Sequence, residues 1–103
     1  MNLFSNLPDK IDQELVDLLA SSEHVRVERI VSTGQSSPDG FWYDQAETEW
    51  VIVLRGEATL KFQDDDDPIS MQVGDHLTIA PHRKHRVEST SPDEPTVWLA
   101  VFF

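Results

Sequence analysis

The chain has 103 residues, 39% of them hydrophobic, which is enough for one domain with a buried core. Its 8 basic and 19 acidic residues leave a formal net charge of −11, a field that repels phosphate backbones and anionic lipid and so argues against nucleic acid and membrane as partners. There is no cysteine, which excludes disulfides and thiolate metal centres and fits a cytoplasmic setting.

The opening stretch MNLFSNLPDKIDQE has no basic start and no apolar run of signal-peptide length. Ile11, Leu15, Leu18 and Leu19 recur at helical spacing in DKIDQELVDLLA. Pro8 and Asp9 suit a helix start, and Asp12 and Glu14 suit the positive end of its dipole. The pattern predicts a helix over Asp9–Ala20, closed by Ser21 and Ser22, so residues 1–22 read as a helical segment and residues 23–103 as a barrel.

From there the chain reads as strands. HVRVERIV alternates Val25 and Val27 with Arg26 and Glu28, a half-buried strand, and GQSSPDG is a loop. EWVIVL, a turn at Arg55-Gly56 and EATLKF read as a hairpin, with Ala58, Leu60 and Phe62 on one face of the return strand. The run from Asp64 to Asp67 lacks the spaced oxygens, glycine and closing Glu of a calcium loop and reads as a solvated turn. ISMQV, a Gly74-Asp75 turn, HLTIA, a His-rich loop, HRVEST and TVWLAVFF complete the series. Short strands separated by turn signals predict an all-β sandwich or barrel.

Two strands are apolar on both faces. Trp50, Ile52 and Leu54 oppose Val51 and Val53, and Trp98, Ala100 and Phe102 oppose Val97, Leu99 and Val101. A strand of a lone sandwich wets one face. The second apolar face therefore predicts a cover, and the expected cover is another copy of the chain, a homodimer.

Tyr43, Gln45, Glu47 and Glu49 stand at alternate positions ahead of Val51 and Val53. In extended chain they point one way, polar at the mouth of a barrel and apolar deeper in, which is the character of a small-molecule site. An irregular turn at Ala46 would break this parity and send Glu47 outward. The second cluster is HRKHRV, with His82 and His85 three apart and His76 nearby; imidazole is the commonest metal ligand at neutral pH. His24 carries no assigned role.

Together the clusters resemble the cupin family of small jelly-roll β-barrels. Its first motif ends in a Glu, six residues and a Gly, matched by Glu49 and Gly56 in EWVIVLRG. Its second motif opens at Gly74 of GDHLTIAPHRKHRV; Ala80 stands at the motif proline, His82 at the motif glycine, His85 on the motif histidine and Ser89 at the closing Asn. The resemblance implies a jelly-roll barrel over roughly residues 25–103 and a site of three His and one Glu holding iron, manganese, nickel or zinc. Here the two histidines of the first motif are replaced by Tyr43 and Gln45, or, in the other spacing, by Trp42 and Asp44. Glu49 and His85 remain as ligands, with Gln45 a neutral oxygen and Tyr43 a ligand only as phenolate. Asp44 or His82 would complete a site if the loop turned inward.

Three functions follow. The first is a metal-dependent enzyme on a small organic substrate, with Tyr43 and Glu49 catalytic and Gln45, Glu49, His85 and Tyr43 on the ion. The second is a metal-free ligand-binding barrel using the same four side chains as hydrogen-bonding groups. The third is a structural dimer in which Glu49 and His85 pair with no room for a ligand.

Overall fold

The structure, a computed structural model, describes residues 2–103. Eight strands succeed one another: β1 Leu15–Ser21, β2 Arg26–Ser32, β3 Glu49–Arg55, β4 Ala58–Phe62, β5 Ile69–Met71, β6 His76–Ile79, β7 His85–Thr90 and β8 Thr96–Phe102. They form a five-stranded antiparallel sheet ordered β1-β2-β8-β3-β6 and a three-stranded one ordered β5-β4-β7. This is the all-β barrel expected.

The predicted helix is absent, and no α-helix occurs among the described residues. Residues 15–21 instead form β1, paired with β2 from Leu15 opposite Val31 to Ser21 opposite Arg26. The sequence LVDLLA fits either period over so short a span. A helix of this length is marginal alone, whereas β2 offers an open edge, so tertiary pairing overrides local propensity. A register shift between Leu18 and Ala20 accommodates the mismatch in the pattern.

The expected hairpin at Arg55-Gly56 is also corrected. β3 and β4 lie in different sheets, and the chain crosses between them at Gly56. Gly56 has φ +81°, and a Cβ there would stand 2.5 Å from Thr96 Oγ1 and 2.7 Å from Thr96 Cα. Only glycine combines that conformation with that approach. Thr96 Oγ1 and the Ser91 amide both donate to the Glu57 carbonyl, which fixes the crossover.

The core forms where the inner faces meet. Val51 and Val53 of β3, Ala58, Leu60 and Phe62 of β4, Met71, Ile79, and Trp98, Ala100 and Phe102 of β8 are buried in one cluster. Each large side chain so buried contributes about 1.5–3 kcal/mol. On the outer face Trp50, Ile52 and Leu54 of β3 and Leu99 and Val101 of β8 are only half-buried. The N-terminal segment crosses this face at Arg29, which donates to the carbonyls of Leu3 and Ser5 and pairs with Asp17. The aspartates from Asp64 to Asp67 are exposed in the turn between β4 and β5, with Asp64 paired to Arg83.

Candidate functional site

Tyr43, Gln45, Glu49 and His85 converge on a cavity of about 200 Å³ between the sheets. Glu49 is the first residue of β3 and His85 the first of β7, so the two come from opposite sheets. Val51, Leu60, Ile79, Val87 and Trp98 make the apolar wall beneath them.

Main-chain hydrogen bonds bring the parts together. The Tyr43 amide donates to the His85 carbonyl at 2.7 Å and the His85 amide donates back to the Tyr43 carbonyl at 3.2 Å, an isolated antiparallel bridge. One step along, the His82 amide donates to the Gln45 carbonyl at 2.6 Å. The segment ahead of β3 is thereby laid along the segment ahead of β7. The chain bends at Ala46 and Glu47, which breaks the parity as anticipated. Glu47 leaves the cavity and receives two hydrogen bonds from Arg26 Nη1, at 3.0 and 3.2 Å.

His82 adopts φ +61°, the left-handed conformation, at the place where the family motif has glycine. The loop does not turn inward there. The His82 ring is largely exposed and its Nδ1 meets Asp44 Oδ1 at 2.7 Å, outside the cavity. His76 is likewise on the outside, accepting from Trp50 Nε1, and His24 is exposed beside Glu23.

The His85 ring is buried and held on two sides. Nδ1 donates to the Arg83 carbonyl at 3.0 Å, and the Tyr43 ring stacks on the imidazole with centroids 5.4 Å apart. A proton on Nδ1 leaves Nε2 as the reactive nitrogen. Nε2 stands 3.6 Å from Glu49 Oε1, beyond hydrogen-bond length. The Glu49 carboxylate is nine-tenths buried and receives no hydrogen bond from the described residues. Burial, and then the charges of Glu14 and Glu49, push the Tyr43 phenol above its ordinary pKa, so it is a hydrogen-bond donor at neutral pH.

Three charged residues of the site were not singled out from the sequence. Glu14 lines the cavity as an acceptor from Ser32 Oγ, and Ser32 in turn accepts from Trp98 Nε1 at 3.2 Å. Its assignment to a helix start concealed this. Arg26 and Glu28 belong to the polar set of β2, and that set faces inward with Ile30, leaving Val25 exposed. Arg26 Nε donates to Glu28 at 2.9 Å, and its guanidinium lies over the Phe102 ring at 4.2 Å. The alternation Arg-Val-Glu-Arg-Ile carried the signal, since opposite charges two apart on a strand share a face.

The sheet order, the sheet-to-sheet crossovers and the polar-mouthed cavity define a jelly-roll barrel with an internal cavity. The sequence profile of the cupin domain matches residues 28–102. The chain belongs to the cupin family. It is 43% identical to a protein from Ralstonia eutropha JMP134 provisionally named a mannose-6-phosphate isomerase, over 99% of this chain and 94% of that one, with a TM-score of 0.97. An RmlC-like cupin with a double-stranded β-helix fold from Methanocaldococcus jannaschii superposes with a TM-score of 0.71 at 19% identity, covering 94% and 85% of the two chains. The hydroxypropylphosphonic acid epoxidase of S. wedmorenis gives 0.72 at 19% identity, over 90% of this chain and 52% of that one. These last two share the fold. No curated protein matches the sequence.

Cupins often hold a metal ion in the barrel. The residues present here do not fit the usual four-ligand centre. Only Glu49 and His85 are full-strength donors, Gln45 is neutral, and Tyr43 holds its proton more tightly than a free phenol. Among the described residues no three His, Cys, Asp or Glu side chains gather at metal-binding spacing.

Proposed function

We propose that the barrel binds a small polar organic molecule directly, with Tyr43 and Gln45 as hydrogen-bond partners and Glu49 and His85 as the pair that accepts and holds a proton from it. The observation that carries this is the 3.6 Å gap between His85 Nε2 and Glu49 Oε1, opening onto a cavity with room for a ligand. A ligand atom on the cavity side of the pair, off the line that joins them, would lie within hydrogen-bond reach of both. A collapsed, purely structural barrel would instead close the pair into a hydrogen bond, because an unpaired buried carboxylate costs several kcal/mol.

If the molecule is turned over chemically, Glu49 and His85 are the proton acceptors within reach of it and Tyr43 the donor. A hexose phosphate, as named for the Ralstonia protein, would bring a phosphate dianion toward Glu14, Glu28 and Glu49, which argues against it as the ligand of this cavity. The second reading is a divalent metal on Glu49 and His85. It has one observation in its favour, the Nδ1–H bond to Arg83 that leaves Nε2 as a ligand nitrogen, and the donor count against it. We further infer a homodimer through the outer face of β3 and β8, and the cysteine-free composition accords with the cytoplasm.

The deciding experiment is elemental analysis of the purified protein with thermal melts in Fe, Mn, Ni and Zn. The expected result is substoichiometric metal and unchanged melting. One bound ion per chain, lost in His85→Ala, would overturn the metal-free reading.

A further inference from the structure

The charged groups lining the cavity are unequal in number. Glu14, Glu28 and Glu49 bring three carboxylates, Arg26 one guanidinium and His85 an imidazole 3.6 Å from Glu49. That guanidinium is already engaged: it donates to Glu28 and to Glu47 and covers the Phe102 ring. Among the described residues, Glu14 accepts a hydrogen bond only from the neutral Ser32 hydroxyl. Glu49, nine-tenths buried, has no hydrogen-bond donor at all among the described residues and faces the cavity. The raised Tyr43 pKa, pushed up by burial first and then by Glu14 and Glu49, places both carboxylates in one field around the phenol. Beside the Gln45 amide and the His85 imidazole, the lining is mostly apolar and includes Val51, Ile79 and Trp98.

Glu49 is buried with the His85 imidazole 3.6 Å away as its nearest potentially cationic group, Glu14 and Glu28 are half-buried, and three carboxylates against one guanidinium already engaged favour a positively charged ligand over a neutral one. An anion would add to the negative charge. The cavity, about 200 Å³, is below the range that takes drug-sized molecules. The net charge of −11 adds a long-range field that draws cations toward the barrel and slows anions.

We infer that the ligand of this cavity is a small organic cation, an amine whose ammonium group is taken by Glu49 and Glu14 beside the Tyr43 hydroxyl and whose hydrocarbon part lies against Val51, Ile79 and Trp98. This rests on the reading of the barrel as a small-molecule site.

Three probes of one shape separate the two ideas. Benzylamine, benzyl alcohol and benzoate are titrated into the full chain at neutral pH, with backbone and indole NMR signals reporting where each binds. The ammonium is expected to bind roughly tenfold or more tighter than the alcohol, with benzoate weakest, as a charge-assisted hydrogen bond requires. The shifts should centre on Val51, His85 and the Trp98 indole. Glu49→Gln, checked for folding by circular dichroism, should remove the preference, and Glu14→Gln should weaken it. Equal binding of the alcohol, or tighter binding of benzoate, at those signals overturns the cation inference and leaves the site standing. A preference unchanged in both variants, or shifts confined to exposed groups such as Asp64 to Asp67, overturns it too. If none of the three disturbs the cavity signals, the small-molecule reading falls along with it.

Discussion

His85 and Glu49 face one another across the gap between the two sheets, Nε2 to Oε1 at 3.6 Å, with the far side of the imidazole tied to the Arg83 carbonyl. The pair is close enough to couple electrostatically and too far apart to satisfy its own hydrogen-bonding capacity. Replacing the carboxylate by its neutral isostere removes the cost of a buried charge. Glu49→Gln is therefore expected to be as stable as the parent or more so, by up to about 1 kcal/mol, a rise in melting temperature of several degrees. A loss of more than about 2 kcal/mol in a denaturant melt would show that the pair is a structural clasp.

Tyr43 is the sole tyrosine in the sequence, so its ionisation can be read directly from the ultraviolet phenolate band. Burial and the two neighbouring carboxylates raise its folded pKa above the reference value of about 10. The sign follows from linkage: the folded state favours the protonated phenol, so this contribution is complete below the unfolded pKa and is lost as pH climbs through the folded one. The spectrophotometric midpoint is expected above that of the unfolded chain in denaturant. Tyr43→Phe should flatten the fall of stability on the alkaline side. A midpoint equal to the unfolded one would contradict the burial of the phenol.

Gly56 carries the crossing between sheets with φ +81° and no room for a methyl group beside Thr96. Gly56→Ala combines left-handed strain with a backbone clash, for a loss of roughly 2–4 kcal/mol in urea unfolding. The contrast is Gly74, also at positive φ but with nothing within 4 Å of its Cβ position, where the same change should cost only the conformational part.

Arg29 holds the N-terminal segment to the outer face through the Leu3 and Ser5 carbonyls and Asp17. Arg29→Ala is expected to cost about 1.5–3 kcal/mol, the usual range for hydrogen bonds to a charged group. Limited proteolysis should then cut ahead of β1 sooner than in the parent. Unchanged cleavage would mean that the segment is held by its apolar contacts alone.

The barrel, and the convergence of Tyr43, Gln45, Glu49 and His85 on one cavity, were legible because strand alternation and motif spacing are local properties. Glu49, six residues and Gly56 fix the start of a core strand and its exit, and the spacing from Gly74 to His85 fixes a turn and the start of another. What could not be read depended on partners distant in the chain. LVDLLA fits a helix until β2 supplies an edge, and Arg55-Gly56 fits a hairpin until β4 finds β7 rather than β3. Glu14 reaches the cavity through the same long-range pairing of β1 with β2, which nothing in its own segment announces. His82 is the converse case. A histidine three from His85 invites a functional reading, yet its place in a left-handed turn directs it to solvent.

The bridge between Tyr43 and His85 is made of two peptide groups, and the link from His82 to Gln45 of a third. None of these contacts involves a side chain. The frame that gathers the site is thus indifferent to what the gathered residues are. Tyr43 and Gln45 are gathered at the mouth by these main-chain bonds alone. Substitutions at positions 43 and 45 therefore leave intact the hydrogen bonds that lay one segment along the other.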